Sequence, residues 1–168
     1  MEHRHPFRAH PRIKRGEDWE NYLCITPAVG RLIERLDIER LGLASSFGFK
    51  VRDVHEHYLM TFPDIAPGTV SDMAGQVGAG TKGPVTLQNR YITEDLPFGI
   101  IPLCELGRRL GTPLPLHEAG VALLTASLGT DFRSRNDILE EVLEELDCQN
   151  VSQSSATLPT GPKTSARR

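Results

Sequence analysis

Residues 25–48 read ITPAVGRLIERLDIERLGLASSFG, and the spacing of their apolar positions suits one kind of regular structure. Val29, Leu32, Ile33, Leu36, Leu43 and Phe47 recur near the helical period, which predicts an amphipathic helix with Arg31, Glu34, Arg35 and Glu39 on its outer side. Thr26 stands where an N-cap is expected. Pro27 follows at the first helical position, where its missing N–H costs nothing. The helix is expected to end near Gly48.

The same signals recur along the chain. RDVHEHYLMTF at 52–62 predicts a second helix capped by Asp53, and SDMAGQVGA at 71–79 a short third. IIPLCELGRRLG at 100–111 reads as a helix stopped by Gly111, despite Pro102 near its start. LGTPLPL is a turn, and LHEAGVALLTASLG at 116–129 is an apolar helix. Asn136 is expected to cap DILEEVLEELD, whose Ile138, Leu139, Val142, Leu143 and Leu146 form one face. No stretch alternates β-branched residues as a strand would. An all-α domain, a helical bundle, is therefore expected.

The 168 residues, 39% of them hydrophobic, suit one globular domain that buries roughly two-thirds of its unfolded surface. Composition marks three zones: a basic, irregular arm over 1–16, a periodic region over 17–148, and a Ser/Thr/Pro-rich tail over 149–168. The tail holds too little apolar surface to offset its ordering entropy, and is expected to be disordered. A net charge of -3 argues against nucleic-acid binding, which draws on a basic face. The three cysteines are widely spaced, with no CxxC pair, and indicate neither a disulfide framework nor a zinc site. No apolar run approaches the roughly 20 residues that cross a bilayer. A soluble, cytoplasmic protein without a membrane partner is expected.

Several motifs fail as sites. GQVGAGTKGP at 75–84 has glycines at phosphate-loop separation, but Thr81 precedes Lys82, and Gly83-Pro84 blocks the helix that would hold a phosphate. His55 and His57 are two apart, which points them to different sides of a helix and away from a shared metal. His117 reads as a packing or capping residue rather than a base. The acidic positions over 140–147 read as a solvated helix face, and Cys24 and Cys104 as inert core thiols.

NRYITEDLPFG at 89–99 is less easily dismissed. Arg90 and Asp95 are five apart, a spacing that brings two side chains together neither on a helix nor on one face of a strand. Asp95 is also a poor N-cap, because the second residue after it, Pro97, has no N–H to donate. A regular element would therefore keep the two apart.

In GPVTLQNRYITEDLPFG and IIPLCELGRRLGTPLPLHEAG, together with ITPAVGRLIERLDIERLGLA and LGTDFRSRNDIL, the chain resembles the opine dehydrogenases, the octopine/nopaline dehydrogenase family, in their C-terminal helical domain. The likeness covers nearly all of residues 17–147. It implies the reaction in which an amino acid and a 2-oxo acid condense to an imine that NADH or NADPH reduces. The family's cofactor sits on a Rossmann domain for which this sequence shows no fingerprint, so the chain alone is expected neither to bind NAD or NADP well nor to turn over. A Rossmann domain in trans, or a homodimer, is the implied partner.

Carried over, the resemblance makes Arg90 the clamp for a substrate carboxylate and Asp95 the orienter of a catalytic histidine. The chemistry suits both roles: a guanidinium meets a carboxylate with two parallel charge-assisted bonds, and a proton-moving histidine needs its tautomer fixed. The resemblance places the histidine in a His-Pro step near or just before the start of this sequence. His5 and His10 both precede a proline, and His5 is taken because it leaves more room. The competing expectation is a non-catalytic helical module retained for dimerisation or ligand binding.

Overall fold

A computed structural model of the chain describes residues 15–86, 89–145 and 147. These residues are helical, with α1 at Pro27–Ser46, α2 at Val54–Thr61, α3 at Val70–Val77, α4 at Arg90–Thr93, α5 at Ile101–Arg109 and α6 at Pro115–Leu128. A further helix, α7, runs over 139–145. Among the described residues there is no strand, and the antiparallel bridge between Glu20 and Lys82 stands alone. The all-α expectation therefore holds. The basic arm, except for its last two residues, lies outside the described residues, as do His5, His10, Cys148 and the tail.

Local chemistry explains where the helices begin. Thr26 accepts the Val29 N–H through Oγ1, ahead of Pro27. Asp53 and Glu56 form a reciprocal capping box at the start of α2, and Thr69 and Asp72 form another at the start of α3. Each box satisfies two amides that a helix end leaves orphaned. α6 stops at Gly129, whose left-handed backbone (φ 61°) suits a residue without a Cβ.

The core forms where α1, α2 and α3 meet. Tyr58, Val70, Met73 and Ala74 are buried at its centre, with Tyr22, Ile25, Ile33 and Phe62 packed around them. Tyr22 meets Phe62 edge-on at 5.5 Å and Tyr58 at 6.1 Å, arrangements the aromatic quadrupole favours. α1 and α3 come so close at Gly30 that a Cβ there would stand 2.9 Å from the Ser71 amide nitrogen. Glycine is what lets these backbones touch.

The faces of α1 follow the periodicity only in part: Leu43 is buried, Ile33 packs on the core, and Arg31 and Arg35 are exposed as expected. Val29 and Leu32 are largely exposed, whereas Glu34 and Glu39, expected outside, turn inward. Glu34 Oε1 accepts the Val70 N–H at 3.0 Å, at the start of α3. Glu39 takes two amides at the start of α6. Each carboxylate caps a helix distant in sequence, a favourable place for negative charge because helix N-termini carry positive partial charge.

The chain divides between Arg135 and Asn136 into two units. In the second, the Asn136 side chain accepts the Ile138 N–H at 3.2 Å, just ahead of α7. Leu139 and Leu143 are buried, Glu140, Glu141, Glu144 and Glu145 are exposed, and Ile138 and Val142, predicted to share the apolar face, are exposed too.

Candidate functional site

The segment from Asn89 to Arg109 answers the five-residue puzzle. Arg90–Thr93 form a single helical turn, and the Glu94 N–H returns to the Arg90 carbonyl at 2.9 Å. Phe98 donates to the Glu94 carbonyl at 2.9 Å, so the turn continues past Pro97. The chain then widens into a π turn at Leu96–Ile100, in which the Ile101 N–H reaches the Leu96 carbonyl five residues back. Such a bulge accommodates the missing N–H groups of Pro97 and Pro102 without ending the helix. α5 follows directly.

This irregular helix carries Arg90 and Asp95 to one surface groove of about 390 Å³, lined by Asn89, Arg90, Tyr91 and Asp95. Both charged side chains are exposed, and they make no hydrogen bond to each other. Arg90 instead donates its Nε–H to Glu94 Oε2 at 2.9 Å, a pair at helical i,i+4 spacing. Glu94 is the residue that reasoning on the Arg90–Asp95 interval missed. Its hydrogen bond is the main cause that raises the Arg90 pKa, with the Asp95 charge adding to it. Asn89 contributes a side-chain oxygen that is buried with no partner among the described residues, while its amide nitrogen donates to the Thr86 carbonyl at 2.6 Å.

His117 is held differently. It is buried at the start of α6, and its Nδ1 lies 2.8 Å from Glu39 Oε2. The same carboxylate accepts the Leu116 and His117 amides at 2.8 and 3.2 Å. Burial alone raises the Glu39 carboxyl, but the Leu116 amide and the His117 ring and amide outweigh it, and the net shift is downward. Of the two readings of His117, packing fits this geometry, and the capping group is Glu39.

The other candidates are accounted for locally. His55 Nε2 faces Glu34 Oε1 at 3.4 Å, and among the described residues no cluster of His, Cys, Asp and Glu is arranged to hold a metal. Cys104 is buried, and desolvation pushes its thiol up to about 11, which keeps it protonated and unreactive at neutral pH. Cys24 is only half-buried, so it is a less complete core thiol than expected. Glu105, also buried, is drawn below the usual carboxylate range chiefly by its hydrogen bond from Arg133.

The glycine-rich loop does not fit the pyrophosphate of a nicotinamide cofactor. The Gly80 amide, a donor that a phosphate would need, is taken by Glu20 Oε2 at 2.9 Å. The Lys82 ammonium sits between Glu20 Oε1 at 2.6 Å and Asp18 Oδ2 at 3.1 Å. Carboxylates of this chain already occupy the anion-binding groups, and they would repel a second anion.

The described residues form an all-helical fold that carries a guanidinium and a carboxylate, those of Arg90 and Asp95, on one groove. The NAD/NADP octopine/nopaline dehydrogenase alpha-helical domain matches residues 5–128, and the chain belongs to that family. The opine dehydrogenase of Arthrobacter sp. (strain 1C) is 36% identical over 134 residues, which cover 78% of this chain and 37% of the relative. The chain thus spans little more than a third of that protein's length.

Proposed function

We propose that this chain is the substrate-binding part of an opine dehydrogenase-type oxidoreductase, which joins an amino acid to a 2-oxo acid and reduces the imine with NADH or NADPH. In this reading residues 17–148 form the substrate domain. Arg90 grips a carboxylate of the 2-oxo acid or the opine, and Asp95 orients the histidine that moves the proton, His5 being the candidate in this sequence. The observation that carries it is the groove: Arg90 and Asp95 open onto one surface with both charges unneutralised by each other. Two charges with separate tasks need that arrangement.

The cofactor is assigned to a dinucleotide-binding domain supplied from outside residues 17–148, or in trans, and a homodimer is a further assembly consistent with the reading. A cytoplasmic setting suits the free thiols of Cys24 and Cys104. No helix among the described residues is long and apolar enough to cross a membrane.

The test is reconstitution. The purified chain, mixed with NADH, pyruvate and an amino acid, is expected to leave the absorbance of NADH unchanged. Addition of the separately produced dinucleotide-binding domain of the Arthrobacter relative is expected to start its decay. A flat trace in both settings contradicts the enzymatic reading and leaves a non-catalytic ligand-binding module as the better description.

A further inference from the structure

A guanidinium offers a carboxylate two hydrogen-bonding edges, one made by Nε and the neighbouring Nη, the other by the two Nη nitrogens. In Arg90 the first edge is in use, because Glu94 Oε2 accepts the Nε–H at 2.9 Å. The described residues provide no hydrogen-bond partner for the two Nη nitrogens, which are left for a ligand. As a contribution to folding the pair is modest, because its side chains are 84% and 52% exposed and exposed pairs of this kind are weak though measurable. Its order, cation before anion, is also the weaker one on a helix.

Geometry gives the pair a different use. Asp95 lies on the same groove as Arg90, and an unrestrained guanidinium there has a carboxylate of its own chain to turn to. Such a turn would neutralise both charges of the site. We infer that Glu94 is a positioning residue: it holds Arg90 by Nε, keeps the guanidinium off Asp95, and presents the Nη edge to an incoming carboxylate. This rests on the assignment of Arg90 as the carboxylate clamp. Holding one rotamer-rich side chain in its bound conformation improves affinity by about three- to tenfold.

The experiment is a titration of the full chain with pyruvate, followed through the Arg90 Nε–Hε resonance in ¹H–¹⁵N spectra. Glu94→Ala is expected to weaken pyruvate binding about three- to tenfold with an unchanged far-UV spectrum and melting temperature. Glu94→Gln, whose side-chain carbonyl still accepts the Nε–H, is expected to bind within about twofold of the unaltered chain. Asp95→Asn introduced into the Glu94→Ala chain is expected to recover most of the loss, an outcome that a merely structural role for Glu94 does not produce. Unchanged binding in Glu94→Ala, or a loss that Asp95→Asn leaves untouched, overturns the inference. Should pyruvate fail to move the Arg90 resonance in the unaltered chain, or bind Arg90→Lys equally well, the clamp assignment itself falls.

Discussion

Glu39 with His117 and Glu94 with Arg90 are both contacts between a carboxylate and a side-chain nitrogen, at 2.8 and 2.9 Å, yet the surroundings give them opposite work. Glu39 is nearly buried and saturated: it accepts two helix amides and faces an imidazole, joining α1 to α6. Glu94 is exposed, spans one helical turn, and takes only the Nε–H of its partner, leaving both Nη groups without a partner among the described residues. The first pair is a closed unit whose value is to the fold. The second is open on the side that faces a groove, and in the function proposed above its value is to a ligand.

The sharpest way to break this contrast is to remove Glu39. Glu39→Ala strands an exposed amide at Leu116 and the amide and ring nitrogen of the buried His117, and the expected loss of unfolding free energy is about 1–3 kcal/mol, measured by urea denaturation. Arg90→Ala, by contrast, is expected to stay within about 0.5 kcal/mol of the unaltered chain in the same measurement. Equal losses would erase the distinction between the two sites.

Acid offers a finer probe. The Glu39 carboxyl is held below its usual value of 4.5 in the folded chain, so on acidification the unfolded chain takes up this proton first. Its contribution to stability is therefore complete above about pH 4.5 and is lost as the pH falls through the folded value. Glu39→Gln removes that contribution, and the stability gap between the two chains is expected to narrow on acidification below pH 4.5. A gap independent of pH would show that the Glu39 charge is not what the α6 N-terminus uses. The smallest effect is expected for Asp95→Asn, which should leave pyruvate affinity in calorimetry within about twofold, since its assigned partner is a histidine and not the ligand.

The helices were legible because their signals are local: Thr26 before Pro27, Asp53 three residues before Glu56, and apolar residues at the helical period. The inward turn of Glu34 and Glu39 was not, because their partners at Val70 and at Leu116 and His117 lie 36, 77 and 78 residues away in sequence. A carboxylate on the flank of an amphipathic helix looks the same whether it meets water or the N-terminus of another helix. At the site, the Arg90–Asp95 spacing drew attention to the segment, but the run of the chain through Pro97 and Pro102 was not legible from it. The chain passes them with a π turn, and in the helical turn before it the i,i+4 spacing of Arg90 and Glu94 becomes a real contact. The groove itself is a property of three dimensions that no spacing announces.

The central claim, that Arg90 and not the buried pair serves the ligand, is tested most directly by titrating pyruvate calorimetrically into the unaltered chain and Arg90→Ala. Loss of one bidentate charge-assisted contact predicts at least about tenfold weaker binding in Arg90→Ala. Equal affinities for the two chains would contradict the account.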